Sequence, residues 1–335
     1  MNETPFWRRL LGPLALLYGL GMNVRTRLYS EGVLPRRRLN GVVISIGNLT
    51  VGGTGKTPFA IWLAQRLRAD GKRVGILTRG YRPAAGMSDE VAVLRSHLGD
   101  TFPIGIGADR YATGTELQKQ GVTWFVLDDG FQLLRLARDV DIVLVDATEP
   151  LGRWRRLLPT GRLREPFSAL RRADFVVITR AREAPTVAAV VAQSTSAPFF
   201  YAQTVLEGLH EIASGHAVKE SEWRTRKWFA FSAIGNPGAF LVDLTRWGFD
   251  VVDHVSFRDH HPYTPRDLAD LTLRARRAGA EALVCTEKDA VKVQQFRAGE
   301  LPVYSCAISM VVAEEEKFWN ALLDLARRRR GDAAG

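Results

Sequence analysis

The stretch Gly47–Phe59, GNLTVGGTGKTPF, places a glycine-rich loop, a lysine and a threonine directly after the apolar segment GVVISI. The residues from about Thr57 to Ala69 read as a helix that closes at Asp70. In a strand–loop–helix unit of this kind, glycines let backbone N–H groups point into one concavity, and the helix N-terminus adds positive partial charge. The stretch therefore predicts a phosphate-binding loop in an α/β fold.

Residues 50–57, TVGGTGKT, match the pattern G-x-x-x-x-G-K-[ST] except that Thr50 replaces the first glycine. This departure affects only the tight turn that opens the loop. In this pattern Lys56 reaches the β- and γ-phosphates, and the Thr57 hydroxyl can ligate Mg²⁺. We call these residues the phosphate loop and assign Lys56 to catalysis as well as to binding. The nucleotide-binding residues are Thr50, Val51, Gly52, Gly53, Thr54, Gly55, Lys56 and Thr57.

A second acidic contact is expected wherever a loop binds a magnesium nucleotide. Asp128 and Asp129 follow four apolar residues in WFVLDDG, at the predicted end of a strand. Carboxylates in this position can hold the ion directly or through water. The same pair could instead cap the next helix. Asp146, at the end of the following strand, is a weaker candidate for the same role.

Short apolar segments alternate with predicted helices through the first two thirds of the chain. This alternation predicts a parallel sheet that is covered on both faces. After about Tyr201 the pattern becomes polar and broken, and then a smaller α/β unit follows. We therefore predict an N-terminal membrane-associated helix (1–34), a P-loop kinase domain (35–210) and a smaller C-terminal α/β domain (211–335). The predicted strands lie in GVVISIGN, RVGILTRG, TWFVLDDG, VDIVLVDA and ADFVVITR.

Composition limits the class of partner. Apolar residues make up 46% of the 335 residues, which is enough for a buried core, and the net charge is +10. A positive balance suits an anionic partner such as a nucleotide, a nucleic acid or an acidic membrane surface. The two cysteines, Cys285 and Cys306, have no paired spacing, which argues against a disulfide framework or a zinc site and fits a reducing cytosol. We predict no nucleic-acid partner.

The N-terminal sequence FWRRLLGPLALLYGLGMNVRTRLY has an apolar centre, Leu10–Val24, between arginines. The centre is shorter than the roughly 20 residues that span a bilayer. It lacks a clear small-residue cleavage site, which argues against a signal peptide. Arginine flanks together with Trp7, Tyr18 and Tyr29 favour a helix that lies in an anionic membrane surface. The alternative is a buried first helix.

A phosphate loop alone does not separate kinases, GTPases, ligases and partitioning ATPases. The guanine-reading signal Asn-Lys-x-Asp is missing, and TEKDA is only a distant imitation of it. Val51 stands where partitioning ATPases have their signature lysine. These absences favour a small-molecule or lipid kinase that uses ATP.

A series of motifs runs from about residue 7 to residue 325. The motifs are, in order, WRRLLGPLALLYGL, ISIGNLTVGGTGKTP, GILTRGY, SDEV, VLDDGFQ, LARDVDIVLVD, LLPTGRLREP, RADFVVITR, FSAIGNP, FRDHHPY and TEKDAVK. This series resembles the tetraacyldisaccharide 4'-kinase family. The resemblance implies a kinase that transfers phosphate from ATP to the 4'-hydroxyl of lipid A disaccharide 1-phosphate and forms lipid IVA. It also implies an enzyme attached to the cytoplasmic face of a bacterial inner membrane.

The resemblance also assigns roles outside the phosphate loop. Asp89 in SDEV is the expected general base, and His260 in RDHH is its expected partner. We expect Asp89 from the first domain and His260 from the second, so that domain closure assembles the pair. The substrate contacts are Arg79 and Tyr81, Arg164 joins the nucleotide site, and the metal residues are Thr57, Asp128, Asp129, Gln132 and Glu165.

Three positions depart from the family pattern. Leu133 follows Gln132 where the family has histidine, so any role of that histidine is absent or supplied elsewhere. Thr160 and Ser88 replace residues of the usual PAG and Gly-Asp-Glu motifs. None of these changes removes a residue assigned to the chemistry.

Two other functions stay open on the residues alone. A membrane-associated P-loop switch ATPase would hydrolyse ATP without a lipid acceptor. A dethiobiotin-synthetase-like ligase would need an amine substrate that forms a carbamate. Transfer of label from ATP to a lipid separates the kinase from both.

Overall fold

The computed structural model describes residues 11–80, 88–149, 156–294 and 301–331. In chain order the helices and strands are α1 (Gly12–Ser30), β1 (Val42–Asn48), α2 (Lys56–Ala69), β2 (Val74–Thr78), α3 (Asp89–Leu98), β3 (Ile104–Ile106), α4 (Arg110–Lys119), β4 (Trp124–Asp128), β5 (Val140–Asp146), a 3₁₀ helix (Phe167–Arg172), β6 (Phe175–Thr179), α5 (Pro185–Ser194), β7 (Phe199–Glu211), β8 (Ala217–Val218), α6 (Glu220–Trp223), β9 (Lys227–Ser232), α7 (Pro237–Trp247), β10 (Asp250–Ser256), α8 (Pro265–Arg277), β11 (Ala282–Thr286), α9 (Glu287–Val293), β12 (Val303–Val312) and α10 (Glu315–Arg330).

The chain forms two compact units that interleave along the sequence. The first unit comprises Met1–Arg79, Thr101–Gln203 and Val312–Gly335, and the second comprises Gly80–Asp100 and Thr204–Val311. Helix α3 therefore belongs to the second unit and helix α10 to the first, which the contiguous boundaries drawn from the sequence did not anticipate. The expectation that Asp89 and His260 come from different domains is wrong, because both lie in the second unit.

The strands of the first unit are ordered β7-β6-β5-β1-β4-β2-β3, and neighbouring strands run parallel. Every residue of β1, β2, β4, β5 and β6 is buried, as expected of strands covered on both faces. All five strands predicted from the sequence are present. The sequence analysis missed β3, whose three residues carry too little periodic signal, and it also missed the ten-residue helix α4.

Parallel strands bring their carboxyl ends to one edge of a sheet. In the first unit β1 ends at Asn48, β4 at Asp128, β5 at Asp146 and β6 at Thr179, and all four residues are buried polar groups. Apart from Ser45 in β1 and Asp141 near the start of β5, the buried residues of these strands before their last residue are apolar or glycine, so most of the buried polar side chains lie at this edge. Helix α10 adds Phe318, whose ring meets the rings of Phe59, Phe175 and Phe200 edge-on and completes the core of this unit.

The second unit has the strand order β10-β9-β11-β12-β7, with β8 antiparallel to β7. The pairs β10–β9, β9–β11 and β11–β12 are parallel. One core surrounds Trp228 and Leu244, and a second surrounds Phe231 and Leu271. The smaller α/β unit predicted from the sequence is present, and β7 extends to Glu211, into the segment that appeared polar and broken.

Helix α1 packs on the first unit through its small and polar residues. Ala15 and Gly19 are its buried positions, and a Cβ atom added to Gly19 would lie 2.6 Å from Leu157. The Tyr18 hydroxyl donates a 2.8 Å hydrogen bond to the carbonyl of Arg164. Five apolar side chains of the helix are exposed: Leu14, Leu16, Leu17, Leu20 and Val24. Within the part of the chain that the structure describes, no helix has the length and hydropathy needed to cross a membrane.

A buried histidine joins α3 to the start of α9 in the second unit. Nε2 of His97 lies 2.7 Å from Oε1 of Glu287, and the two side chains are 13% and 17% exposed. The hydrogen bond with Glu287 raises the pKa of His97, although burial acts in the opposite direction. This contact therefore stabilises the protein in full below the unfolded-state pKa of about 6.5, and it is lost as the pH rises through the raised folded-state pKa.

We expect His97→Gln to cost about 1.5–3 kcal/mol of unfolding free energy at pH 6, as for a hydrogen bond to a charged group. The cost should be smaller at pH 9. Thermal unfolding midpoints at the two pH values measure the difference, and His216→Gln, at an exposed histidine, is the control. An equal loss at both pH values would show that the charge of His97 does not contribute.

Candidate active site

The phosphate loop depends on glycine at two positions. Gly52 has φ 131° and Gly55 has φ 86°, both in the region that L side chains rarely adopt. Gly55 is the N-cap of α2. Glycine has no side chain that could cap the amides of the first turn. Such a helix start is suited to an anion.

Thr50 holds the start of the loop by strand-like pairing rather than by a glycine turn. It forms an isolated antiparallel bridge with Leu163, and the amide of Val51 donates to the carbonyl of Arg162 at 2.8 Å. This pairing explains why a threonine suffices where the common pattern has glycine.

Arg164 joins three parts of this site. Its guanidinium makes a bidentate ion pair with Asp129, at 2.8 Å and 3.0 Å. It also donates to Oδ1 of Asn48 at 2.5 Å and to the carbonyl of Thr50 at 3.2 Å. Arg164, which the sequence analysis assigned to the nucleotide site, thus holds the opening of the phosphate loop at Thr50 and the residue after β4, Asp129.

Lys56 points into the same cluster. Its ammonium donates to Oδ1 of Asn48 at 3.2 Å and lies 3.5 Å from Oδ1 of Asp129. Burial raises the pKa of Asp129, but the charge of Lys56 and the hydrogen bonds and charge of Arg164 outweigh burial and hold that pKa well below its usual range. Asp129 is therefore an anion at every physiological pH.

Asn48 is the residue that sequence reasoning missed here. Its side chain is completely buried at the end of β1. Oδ1 accepts from both Lys56 and Arg164, while Nδ2 donates to the carbonyl of Gly52 at 3.4 Å. The sequence offered one signal for it, a polar amide at the end of an apolar strand.

The residues assigned to Mg²⁺ divide into two groups. Asp129 and Glu165 are committed to ion pairs, Asp129 with Arg164 and Glu165 with Arg172 at 2.8 Å. Asp128 and Thr57 are buried at the end of β4 and the start of α2. Gln132 lies close by, because its amide group donates to Glu165 at 3.1 Å and to the carbonyl of Asn48 at 3.0 Å.

Asp128, Thr57 and Gln132 offer the hard oxygen donors that Mg²⁺ prefers. Oε1 of Gln132 is buried without a hydrogen-bond partner among the described residues, so this atom fits a ligand. No three His, Cys, Asp or Glu side chains of the described ranges form a group that could hold a metal ion. The assignment of these donors to the metal stays a prediction.

Asp146 has a structural partner. Its buried carboxylate accepts from Arg180 at 2.6 Å and from the hydroxyl of Thr148 at 2.7 Å. Arg180 also donates to the carbonyl of Gly53 at 3.4 Å, so the pair braces the phosphate loop.

Of the two predicted substrate contacts, Arg79 is exposed directly after β2, and Tyr81 lies outside the described residues.

Arg110, at the start of α4, is an arginine that the sequence analysis did not single out. It is buried and donates to the carbonyls of Gly107 and Ala108 at 3.0 and 3.2 Å. Burial lowers the pKa of Arg110, and the charge of Asp128 opposes that effect.

The predicted catalytic pair is formed within the second unit. Nδ1 of His260 lies 3.2 Å from Oδ2 of Asp89. Asp89 is the first residue of α3 and is 7% exposed, and Ser88 caps that helix by accepting from the amide of Val91 at 3.3 Å. Ser88 therefore serves as an N-cap where the family has glycine. The amide of His260 donates to the carbonyl of Ala233, which fixes the histidine backbone at φ 59°.

The two members of this pair hold each other in the charged form. Burial raises the pKa of Asp89, but the hydrogen bond from His260 and the charge of Lys292 lower it further than burial raises it. The hydrogen bond to Asp89 raises the pKa of His260 against burial, and the charges of Asp259 and Glu90 add to the effect. His261, which received no role, lies 3.2 Å from Asp267 at the start of α8.

Comparison with known proteins decides the family. The model of the family described as Tetraacyldisaccharide-1-P 4'-kinase matches residues 7–327. The chain belongs to this family. The tetraacyldisaccharide 4'-kinase of Geobacter sulfurreducens is 39% identical over 92% of this chain and 96% of its own length. The tetraacyldisaccharide 4'-kinase of Geobacter metallireducens is 38% identical over 93% of this chain and 96% of its own length.

A solved structure of the same family confirms the fold class. The crystal structure of the "apo" form of LpxK from Aquifex aeolicus in complex with ATP has a TM-score of 0.70 and 30% sequence identity. The similarity covers 96% of this chain and 99% of that one. The family and the P-loop α/β fold predicted from the sequence are thus confirmed, whereas the individual site residues stay predictions.

We expect Asn48→Ala to lower kcat/KM for ATP by roughly 5- to 150-fold, because two partly buried cations, Lys56 and Arg164, lose a shared acceptor worth about 1–3 kcal/mol. Ile46→Val, a buried change in the same strand, is the matched control. It should cost about 0.5–1.5 kcal/mol of stability and leave the KM for ATP unchanged. If Asn48→Ala lowers only the unfolding midpoint, Asn48 supports the fold and not the site.

Proposed function

We propose that this chain transfers the γ-phosphate of ATP to the 4'-hydroxyl of tetraacyldisaccharide 1-phosphate and forms lipid IVA. Family membership supports this proposal, since the matching relatives are tetraacyldisaccharide 4'-kinases. The observation that carries it is the 3.2 Å contact between Asp89 and His260. An alcohol acceptor has a proton to lose, and a buried carboxylate paired with histidine can take it.

The phosphate loop supplies the nucleotide half of the reaction. Its backbone amides and Lys56 are suited to the β- and γ-phosphates, and they would stabilise charge on the group in transfer. Mg²⁺ held by Thr57, Asp128 and Gln132 would neutralise phosphate charge. Arg164 keeps Asp129 in place beside Lys56, so the lysine is ordered before the nucleotide binds.

Asp89 is the proposed general base. Its Oδ2 atom is engaged by His260, and this contact does not use Oδ1. Oδ1 can therefore accept the proton of the sugar hydroxyl while His260 holds the carboxylate in one orientation. Arg79 and Tyr81 are proposed contacts to the 1-phosphate or the sugar.

Helix α1 is the proposed attachment to the anionic cytoplasmic face of the inner membrane. Leu16, Leu17 and Leu20 are 75%, 63% and 59% exposed. Ala15 and Gly19 of the same helix are buried. An apolar face with Arg25 and Arg27 near the C-terminal end of the helix, and with Arg8 and Arg9 preceding it in the sequence, suits the boundary between headgroups and acyl chains. The lipid acceptor resides at the same boundary.

A switch ATPase is the alternative, and the family match does not favour it. Incubation with γ-³²P-ATP and the disaccharide 1-phosphate distinguishes the two functions. A kinase transfers the label to the lipid, and thin-layer separation detects the product. Release of labelled phosphate alone would contradict the proposal.

The catalytic pair gives a further test. Asp89→Ala and His260→Ala should each lower kcat by about 10²–10⁴-fold, as expected for the loss of a general base. The KM for ATP should change little. Because the two residues act as one unit, the double variant should be scarcely worse than the poorer single variant.

Steady-state kinetics of the three variants test the pair, with His254→Ala, at an exposed histidine of β10, as the control. Losses that multiply in the double variant would mean that the two side chains act independently. A His260→Ala variant that changes only the KM for ATP would move that residue to the binding surface.

The membrane proposal is tested with exposed side chains. Leu16→Gln together with Leu20→Gln should weaken binding to anionic vesicles by about 100-fold or more, because each change removes roughly 1.5–3 kcal/mol of apolar transfer. ATP binding should be retained, since neither side chain is buried. Flotation with vesicles measures the effect, and Leu273→Gln, an exposed leucine of α8, is the control. Equal flotation of both variants would refute attachment through α1.

A further inference from the structure

The motif TEKDAVK, residues 286–292, has no role in the site described so far. In the structure it forms the end of β11 and the start of α9. Thr286 is the N-cap of α9 and accepts from the amide of Asp289 at 3.3 Å, so Asp289 stands in the first turn. Lys292 follows one turn later and lies 3.2 Å from Asp289.

Asp289 fixes the backbone on which His260 depends. Its side chain is completely buried. Oδ1 accepts from the amide of Ala233 and from the hydroxyl of Tyr263, both at 3.0 Å, and Oδ2 accepts from the hydroxyl of Thr286 at 2.6 Å. The carbonyl of the same Ala233 accepts from the amide of His260 at 3.1 Å.

Lys292 connects this buried carboxylate to the catalytic pair. Its ammonium lies 3.3 Å from Oδ2 of Asp89 and 3.2 Å from Oδ1 of Asp289, and its side chain is 13% exposed. It also stands 5.3 Å from the centre of the Tyr263 ring. Lys292 and His260 therefore share a single oxygen of Asp89, and neither contact uses Oδ1.

We propose that Lys292 is a positioning residue of the Asp89–His260 pair. Anchored by Asp289, it holds Oδ2 of Asp89 together with His260, keeps the carboxylate ionised and leaves Oδ1 to accept the proton of the acceptor hydroxyl. This inference rests on the proposed function, because it assigns Lys292 a part in the same reaction.

The charges around the pair fix the direction of the expected effects. Asp89 faces Lys292 and His260, and His260 also faces Asp259 and Glu90. Lys292 competes with His260 for one oxygen and adds positive charge beside it. Loss of Lys292 should therefore raise the pKa values of both His260 and Asp89. Because Asp89 must be ionised to accept a proton, the acidic limb of the kcat profile should move to higher pH, by about one unit.

Asp289→Asn should have the opposite effect. The amide preserves the size of the buried group, but it removes the charge of one of the two carboxylates, Asp89 and Asp289, that lie at ion-pair distance from Lys292. The positive charge of Lys292 then acts more strongly on the pair, so the pKa values of His260 and Asp89 should fall and the acidic limb should move to lower pH. If Lys292 and Asp289 only support the fold, their variants should both be less stable. The acidic limb of the kcat profile should then stay in place in both.

The test measures the pKa of His260 by NMR of ¹³C-histidine-labelled full-length protein, with His260→Gln identifying its signal among the six histidines. Lys292→Met and Asp289→Asn should shift it in opposite directions, and Lys292→Arg should restore the native value and most of kcat. The acidic limb of kcat should follow the same order, with the KM for ATP unchanged.

Lys288→Met is the matched control. Lys288 lies 3.2 Å from Glu90 and joins the same two helices, α9 and α3, without an ion pair to Asp89. Its loss removes a similar contact, and it should raise the pKa of His260 and move the kcat profile far less than Lys292→Met does, because Lys288 pairs with Glu90 and not with the carboxylate of the base.

The role of Lys292 can still be tested if Lys292→Met is too unstable to fold. Lys292→Met leaves the buried Asp289 without its cation, which can destabilise the protein. The double variant Lys292→Met/Asp289→Asn removes both charges and should fold, and it should show a smaller upward shift, because Lys292 and not Asp289 contacts Asp89.

Two outcomes overturn different claims. Folded Lys292→Met with native values for the pKa of His260 and the acidic limb would overturn the role of Lys292. Full kcat in Asp89→Ala would overturn Asp89 as the base, and the NMR titration would still report whether Lys292 controls the charge of the pair.

Discussion

The bidentate ion pair between Arg164 and Asp129 is the contact on which the nucleotide site depends. Arg164 comes from the loop after β5, and Asp129 follows β4. The pair is joined through Asn48 to Lys56, so three segments of the chain meet around one buried amide oxygen. The parallel sheet makes this possible, because it delivers the polar ends of its strands to one edge. The cluster orders Lys56 and commits Asp129, which leaves Asp128, Thr57 and Gln132 as the donors best suited to the metal.

The parts of this structure that the sequence predicts are those with a local cause. A buried strand needs a run of apolar residues, and the phosphate loop needs glycines at fixed positions, so both are visible in a short window. Asn48 carries only a weak local signal, a polar amide at the end of an apolar strand, and Lys292 stands out only as part of the motif TEKDAVK. Their importance comes from partners as distant as Arg164 and Asp89, which only the folded chain brings into contact. For the same reason the sequence did not reveal that α3 belongs to the second unit.

The departures from the common phosphate-loop pattern and from the family pattern have physical explanations in this chain. Thr50, where the common phosphate-loop pattern has glycine, forms a bridge with Leu163 at the opening of the loop. Ser88 caps α3 in front of Asp89. The hydroxyl of Thr160 closes a turn on the carbonyl of Leu157 at 3.0 Å. Leu133, where the family has histidine, packs against the apolar cluster that contains Leu127 and Leu136. Each substitution is thus accommodated by a local contact.

The two carboxylates with the clearest functions differ in the kind of cation beside them. Asp129 lies between Arg164 and Lys56, which carry a fixed charge near neutral pH, so it cannot exchange a proton there. Asp89 lies between Lys292 and His260, and the hydrogen bond to Asp89 raises the pKa of His260. This difference favours the pair in the second unit for the proposed proton transfer, while Asp129 is suited to a permanent counter-charge. Burial raises the pKa of both carboxylates, and the identity of the partner, not the depth of burial, separates the structural anion from the proposed base.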